Sequence, residues 1–259
     1  MNLITQVRKI TPYFVKRVLW YAITKVPSRF ELPFQYWYNK LRSPLEEEME
    51  ILKELAGDRK TAIDIGANIG LYSYYLSKIC DRVEAFEPNP TCLRVLQNYN
   101  AKNVFTHNVG LSSNIGVLEL HIPIVDGKEM LGHATVNSIN TEHLSMKIPI
   151  KTLDEYEFDQ VSFVKIDVEG HELDVIKGAQ QTLLREKPNL LIEIEQRHLD
   201  YPMSRIFDKL GQIGYSGYFL YEAVLRPLAE FSYEIHQKAA LEVDSTRKYV
   251  NNFIFKPDK

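Results

Sequence analysis

Three short stretches of the sequence gather carboxylates at the ends of apolar runs. In IDIGANIG (residues 63–70), Asp64 stands just before a turn made of Gly66, Ala67, Asn68 and Gly70. In FEPNP (residues 86–90), Glu87 closes the apolar run that precedes it. In VKIDVEGHELD (residues 164–174), Asp167, Glu169, His171, Glu172 and Asp174 crowd together beyond a Val- and Ile-rich segment. A glycine turn lets backbone approach a ligand with no Cβ in the way. An acid at the end of the next strand accepts both hydroxyls of a ribose. The first two stretches therefore describe a cradle for a nucleoside-bearing cofactor. The third is suited to proton transfer, because like charges and partial burial raise at least one pKa in such a cluster. A fourth stretch, LLIEIEQRH (residues 190–198), ends its own apolar run with Glu193 and Glu195.

These groups meet only if the apolar runs are neighbouring strands that end on one edge. Short apolar runs alternate with helical patterns from residue 60 onward: strand 61–65, helix 69–79, strand 82–86, helix 90–100, strand 103–109. Further strands are expected at 115–122, 161–167, 189–195, 215–222 and 248–256, with helices at 171–184 and 203–213. The alternation predicts an α/β fold, a doubly wound, mostly parallel, seven-stranded Rossmann-like sheet over residues 60–259, with a helical extension over residues 1–59. Within that extension, residues 26–41 read as a Pro- and aromatic-rich connector. Ser43, Pro44, Leu45 and Glu46 then form a capping-box pattern that opens a helix to about Leu55.

The glycine spacing separates two cofactor classes. A dinucleotide site requires G-x-G-x-x-G so that a pyrophosphate can press on the helix N-terminus. Here the middle position is Asn68, and Asp64 puts a carboxylate where a pyrophosphate would be repelled. A cationic ligand end suits that position, and S-adenosylmethionine carries both an α-ammonium and a sulfonium. An NAD-linked oxidoreductase is the less favoured alternative. The adenine is expected beside the third strand's end, at Asn108, Val109, Gly110 and Leu111.

Composition narrows the partners. The 259 residues are 45% hydrophobic and carry a formal net charge of -3, so the core is ample and no global field gathers nucleic acid. Cys80 and Cys92 have neither metal-ligand spacing nor a disulfide framework, which points to a reducing cytoplasm. Residues 1–30 are basic, with Arg8, Lys9, Lys16, Arg17, Lys25 and Arg29 and no acid. An apolar stripe over residues 13–26 predicts a helix that packs on the domain or lies peripherally on an anionic membrane. No run approaches the ~20 apolar residues of a membrane span.

IDIGANIG, FEPNP, KTLDEY at 151–156, VKIDVEGHELDVIKGA at 164–179 and LIEI at 191–194 together resemble the FkbM-type methyltransferases, a branch of the class I S-adenosylmethionine-dependent enzymes. The resemblance implies O-methylation of a small-molecule or glycan hydroxyl, commonly on a sugar or secondary metabolite, with S-adenosylhomocysteine as product. Methyl transfer is an in-line displacement, so the protein must align the acceptor oxygen and remove its proton. Asp167 is expected near donor and acceptor, with His171 as leading base because imidazole titrates near neutrality, and Glu169 as its rival. Asp167, Glu193 and His171 converging on Mg²⁺ is a weaker alternative. Residues 122–150 read as a long polar loop that walls the substrate, with His133, Thr135 and Asn137 as acceptor contacts alongside Glu193 and Glu195. A non-catalytic scaffold on the same fold is the remaining reading, and the intact acids argue against it.

Overall fold

The computed structural model describes residues 26–42, 47–58, 60–242 and 248–258. The expected basic helix over residues 13–26 and the capping box at residues 43–46 lie outside the described residues. Two helices, α1 (Ser28–Arg42) and α2 (Glu48–Leu55), precede the alternating core. That core starts with β1 (Thr61–Ile65), α3 (Leu71–Leu76), β2 (Arg82–Phe86), α4 (Pro90–Tyr99) and β3 (Val104–His107). An insertion follows, made of β4 (Gly110–Leu111), β5 (Gly116–Val125), β6 (Lys128–Glu129) and β7 (His143–Lys151). The chain returns through β8 (Val161–Ile166), α5 (Glu172–Gly178), α6 (Gln180–Glu186), β9 (Asn189–Glu193), α7 (Ser204–Gln212), β10 (Tyr215–Tyr221), β11 (Val224–Pro227) and β12 (Asn252–Pro257).

The main sheet has the order β11-β10-β12-β9-β8-β1-β2-β3. β3, β2, β1, β8 and β9 pair in parallel, while β12 pairs antiparallel to both β9 and β10. Every residue of β1 is buried, as expected for a strand with helices on both faces. The chain winds outward from β1 to β3 and then crosses back to β8, on the other side of β1. The strand order reverses there, and in such sheets the ligand crevice opens beyond the carboxyl ends at that point. Asp64, Glu87, Asp167 and Glu193 all sit at or just past those ends.

Several expectations need correcting. The main sheet has eight strands, because β11 adds a hairpin edge to β10. Residues 122–150 are not a plain loop, since β5 and β7 pair antiparallel from Gly116↔Ile150 to Pro123↔His143 in a second sheet of order β4-β7-β5-β6. Leu120, Ile148 and Ile150 are buried on one face of it, with Leu118 and Met146 beside them. The segment at 115–122 thus belongs to this small sheet and not to the main one. The helix expected over 171–184 is broken in two because Asp154, from another element, accepts from the Gln181 and Thr182 N–H groups at 3.0 and 2.8 Å and caps a new helix there.

Residues 26–41 form a helix, not a connector. Pro33 lies inside α1, past the first turn, so it removes one backbone hydrogen bond, and tertiary packing offsets that loss. Leu32 and Tyr36 are buried, and the Tyr36 ring lies 4.9 Å from that of Tyr74 in α3. Leu32, Tyr36, Met49, Leu52 and Leu55 share one cluster with Ala62 and Val83 of the sheet, so the described part of the extension is packed on the domain. Cys80 and Cys92 are buried and neither forms a disulfide. Among the described residues no helix is long and apolar enough to cross a membrane.

Candidate active site at the carboxyl edge of the sheet

The turn after β1 is wedged between two strand ends. The Gly66 and Ala67 N–H groups both donate to the Phe86 carbonyl at 3.0 Å. Gly66 has φ 76°, and a Cβ there would lie 1.7 Å from the Asp167 carbonyl oxygen. The next N–H, that of Asn68, donates to Glu87 Oε2 at 2.8 Å, while Asn89 N–H donates to Glu87 Oε1 at 2.8 Å. Burial pushes the Glu87 carboxyl up to about 7 against the pull of these two donors. Each of its oxygens keeps a second lone pair, so a diol can still be accepted.

Asp64 differs from expectation. It is fully buried under the turn and does not line the cavity described below. Its Oδ2 accepts from Ser73 Oγ at 2.6 Å, and its Oδ1 has no hydrogen-bond partner. Burial raises its pKa, opposed by the nearby Lys165. Lys165, itself buried, donates to Asp167 Oδ2 at 2.8 Å and lies 4.5 Å over the Tyr72 ring. The buried Lys165 ammonium thus pairs with Asp167 and lies near Asp64, and the Glu87 carboxyl lies near both acids.

Above them opens a cavity that is partly enclosed and partly continuous with solvent. Gly66, Asn68, Glu87, Asp167, Glu169 and His171 form its polar side. Val109, Gly110 and Leu111 line it as expected, and Leu118, Leu120, Ile148 and Ile150 of the small sheet make an apolar roof. Asn108 does not reach in, because its Nδ2 donates to the Glu87 and Pro88 carbonyls at 3.0 and 2.9 Å and so fixes the strand-end turn. Ala67 and Gly70 shape the first turn without lining the cavity.

Beyond Asp167 the backbone takes an uncommon path. Glu169 has φ 52° and Gly170 φ 99°, and a Cβ on Gly170 would lie 2.4 Å from the His198 carbonyl oxygen. Thr135 Oγ1 donates to the Glu169 carbonyl at 2.7 Å, and Asn137 Nδ2 donates to the Gly170 and His198 carbonyls at 3.2 and 3.1 Å. Thr135 and Asn137 thus pin the loop that carries Glu169. Thr135→Val is expected to cost about 1 kcal/mol by leaving that part-buried carbonyl unpaired, read as a lower urea midpoint at unchanged slope.

The Glu169 carboxylate meets His198 Nδ1 at 2.7 Å through Oε2, and His133 Nδ1 stands 3.7 Å from Oε1. His133, Thr135, Asn137, Arg197 and His198 line a second cavity, and Glu169 lines both. His171 Nε2 lies 2.8 Å from Ser112 Oγ, and burial lowers its pKa. Glu193 and Glu195 line neither cavity: Glu193 Oε1 accepts from Asn251 Nδ2 at 2.8 Å, while Glu195 is held by Arg197 at 2.8 Å and by the Tyr249 hydroxyl. Asp167, Glu193 and His171 do not converge as a cation site. Among the described residues the group that converges is Glu169, Glu195 and His198, and the guanidinium and hydroxyl already on Glu195 make it a poor cage for a hard cation.

His198, Arg197 and Ser112 were missed from the sequence. QRH follows directly on the strand that ends at Glu193, so the rule that ligands gather at carboxyl ends was the signal for His198.

A family model for the methyltransferase FkbM domain matches residues 64–218. The methyltransferase sdnD of Sordaria araneosa is 27% identical over 224 residues, covering 71% of this chain and 82% of that protein. The hexuronic acid methyltransferase AglP of Haloferax volcanii is 32% identical over 146 residues, covering 53% of this chain and 57% of AglP. In fold, the chain is similar to the solved FkbM methyltransferase of Methylobacillus flagellatus KT, with a TM-score of 0.51 at 18% identity over 97% of this chain. It spans only 57% of that solved chain.

Proposed function

The chain belongs to the FkbM methyltransferase family, and from that premise we propose that it moves the methyl group of S-adenosylmethionine onto a hydroxyl of a sugar, glycan or secondary metabolite, releasing S-adenosylhomocysteine. The observation that carries this reading is the cavity at the strand ends, whose polar side includes the carboxyls of Glu87 and Asp167. A sulfonium and an α-ammonium suit such acids, whereas the pyrophosphate of NAD would be repelled by them. Glu87 would take the ribose hydroxyls. Val109, Gly110 and Leu111 would flank the adenine, and the Gly66–Asn68 turn with Asp167 would meet the amino-acid end.

When bound, the sulfonium supplies an electrophilic methyl group. The chain's own residues do the rest. Leu118, Leu120, Ile148 and Ile150 exclude water above the site, and Asp167, Glu169 and His171 stand on its polar side. His133, Thr135 and Asn137 give the second cavity a polar wall suited to hydroxyls. The similarity to AglP, a hexuronic acid methyltransferase, supports a sugar among the acceptors. We assign the transferase module to residues 60–259 and the helices before it to a packed extension. Its two buried cysteines, neither in a disulfide, suit a reducing cytoplasm.

The test is S-adenosylhomocysteine release by the purified full chain with a panel of methyl hexosides, methyl hexuronosides and hydroxylated polyketides. Acceptor-dependent release is the expected outcome. Binding of the methyl donor with no release on any acceptor would favour the scaffold reading.

A further inference from the structure

We propose that the second cavity seats the acceptor and that His198, held by Glu169, is the base that takes its hydroxyl proton; this rests on the methyltransferase reading above.

The two cavities share a partition. Along the segment from Met130 to Asn137, Leu131, Gly132, Ala134 and Val136 face the first cavity, and Met130, His133, Thr135 and Asn137 face the second. The alternation from His133 onward is that of an extended chain whose successive side chains point to opposite sides. Glu169 lines both spaces, so it stands at the boundary between them. A donor in the first cavity and an acceptor in the second would meet beside it.

The carboxylate's position is built rather than incidental. Glu169 holds a left-handed φ of 52°, which costs a non-glycine residue free energy, and Thr135, Asn137 and the close approach of Gly170 to His198 keep it there. Glu169 Oε2 lies 2.7 Å from His198 Nδ1. A carboxylate in that position accepts the Nδ1 proton and leaves the lone pair on Nε2. Among the described residues no hydrogen bond engages Nε2, and His198 lines the second cavity.

His171 is placed less well for this step. Its Nε2 is already paired with Ser112 Oγ and its burial disfavours the protonated ring. For His198 the contrary holds: the hydrogen bond to Glu169 raises its pKa against desolvation, with Glu195 adding to the rise and Arg197 opposing it. His133 faces the other oxygen of Glu169 from the opposite loop.

The step balances as follows. The acceptor O–H proton passes to Nε2 as the acceptor oxygen forms a bond to the methyl carbon. The C–S electron pair stays on sulfur, which becomes a neutral thioether. The resulting imidazolium, stabilised by Glu169, returns its proton to water through the second cavity.

The experiment follows the imidazole resonances of His198 by NMR across pH in the full-length, ligand-free chain, assigned with His198→Asn and compared with Glu169→Gln. The expected result is a neutral form protonated on Nδ1 and a pKa above that of free histidine, which falls by about one unit in Glu169→Gln. With the best acceptor of the panel, His198→Asn should lose about 100-fold or more in kcat while donor affinity holds, and Glu169→Gln should move the acidic limb of the kcat/KM profile to lower pH. A His198 that titrates at the free value, ignores Glu169→Gln, or can be replaced by Asn at full rate overturns the proposal. A wild-type chain that binds no methyl donor would instead overturn the function on which it rests, and the NMR titration would still decide the Glu169–His198 pair.

Discussion

Gly66→Ala is expected to lower the melting temperature by about 10 °C and to remove binding of the methyl donor. A Cβ at this position would stand 1.7 Å from the Asp167 carbonyl oxygen, far inside any real contact. Neither side can yield. The Gly66 N–H is bound to the Phe86 carbonyl, and Asp167 N–H is bound to the Ile65 carbonyl at 3.0 Å, so β1, β2 and β8 are all fastened to the turn. The positive φ adds strain of its own for an alanine. Together these predict a loss of about 3–4 kcal/mol, with the strand ends that carry Glu87 and Asp167 forced apart. Gly211→Ala is the control, because an added Cβ there meets nothing within 4 Å and its site, in the last turn of α7, is helical. Thermal melts of both variants check this, and a Gly66→Ala chain that melts with the wild type would refute the packing argument.

Glu172→Gln should stabilise the ligand-free chain at pH 8 and flatten its pH dependence. The Glu172 side chain is buried, Oε1 accepts from Gly170 N–H at 2.8 Å, and Oε2 has no partner. Burial raises its carboxyl from an ordinary 4.5 to about 7. The folded state therefore holds this proton more tightly than the unfolded chain does. Its contribution is fully present below about pH 4.5 and is lost as pH rises through about 7. At 1.36 kcal/mol per unit the loss is roughly 3 kcal/mol by pH 8, and Glu87 acts in the same direction until a ligand engages it. Glutamine keeps the acceptor for Gly170 and never ionises. Urea denaturation should show the variant gaining roughly 2 kcal/mol more over wild type at pH 8 than at pH 5. Parallel stability curves for the two proteins would sink this reading.

The strand ends were legible in the sequence because local chemistry and burial agree there. Buried parallel strands read as unbroken apolar runs, and the acids at Asp64, Glu87 and Asp167 mark their ends. α1 was not legible, since Pro33 and its aromatics mimic a connector and only the packing of Leu32 and Tyr36 makes the helix. The small sheet was hidden by its own exposed face: Leu120, Ile148 and Ile150 alternate with polar or exposed neighbours, so the segment reads as mixed unless period two is counted. Side-chain roles were the least readable. Asp64 has the expected type and place but turns to Ser73, and Asn108 gives its amide to two carbonyls. The pairing of Glu169 with His198 depends on a left-handed turn and on a segment far along the chain, neither of which spacing reveals.

Calorimetric titration of the full chain with S-adenosylmethionine, with NAD as control and Glu87→Ala as the comparison, tests most directly whether the acid-rimmed cavity holds the methyl donor. Saturable binding of S-adenosylmethionine, none of NAD, and a weakening of about 1–3 kcal/mol in Glu87→Ala are the predicted results. A folded chain that binds no S-adenosylmethionine, or binds it equally well without Glu87, would contradict the assignment.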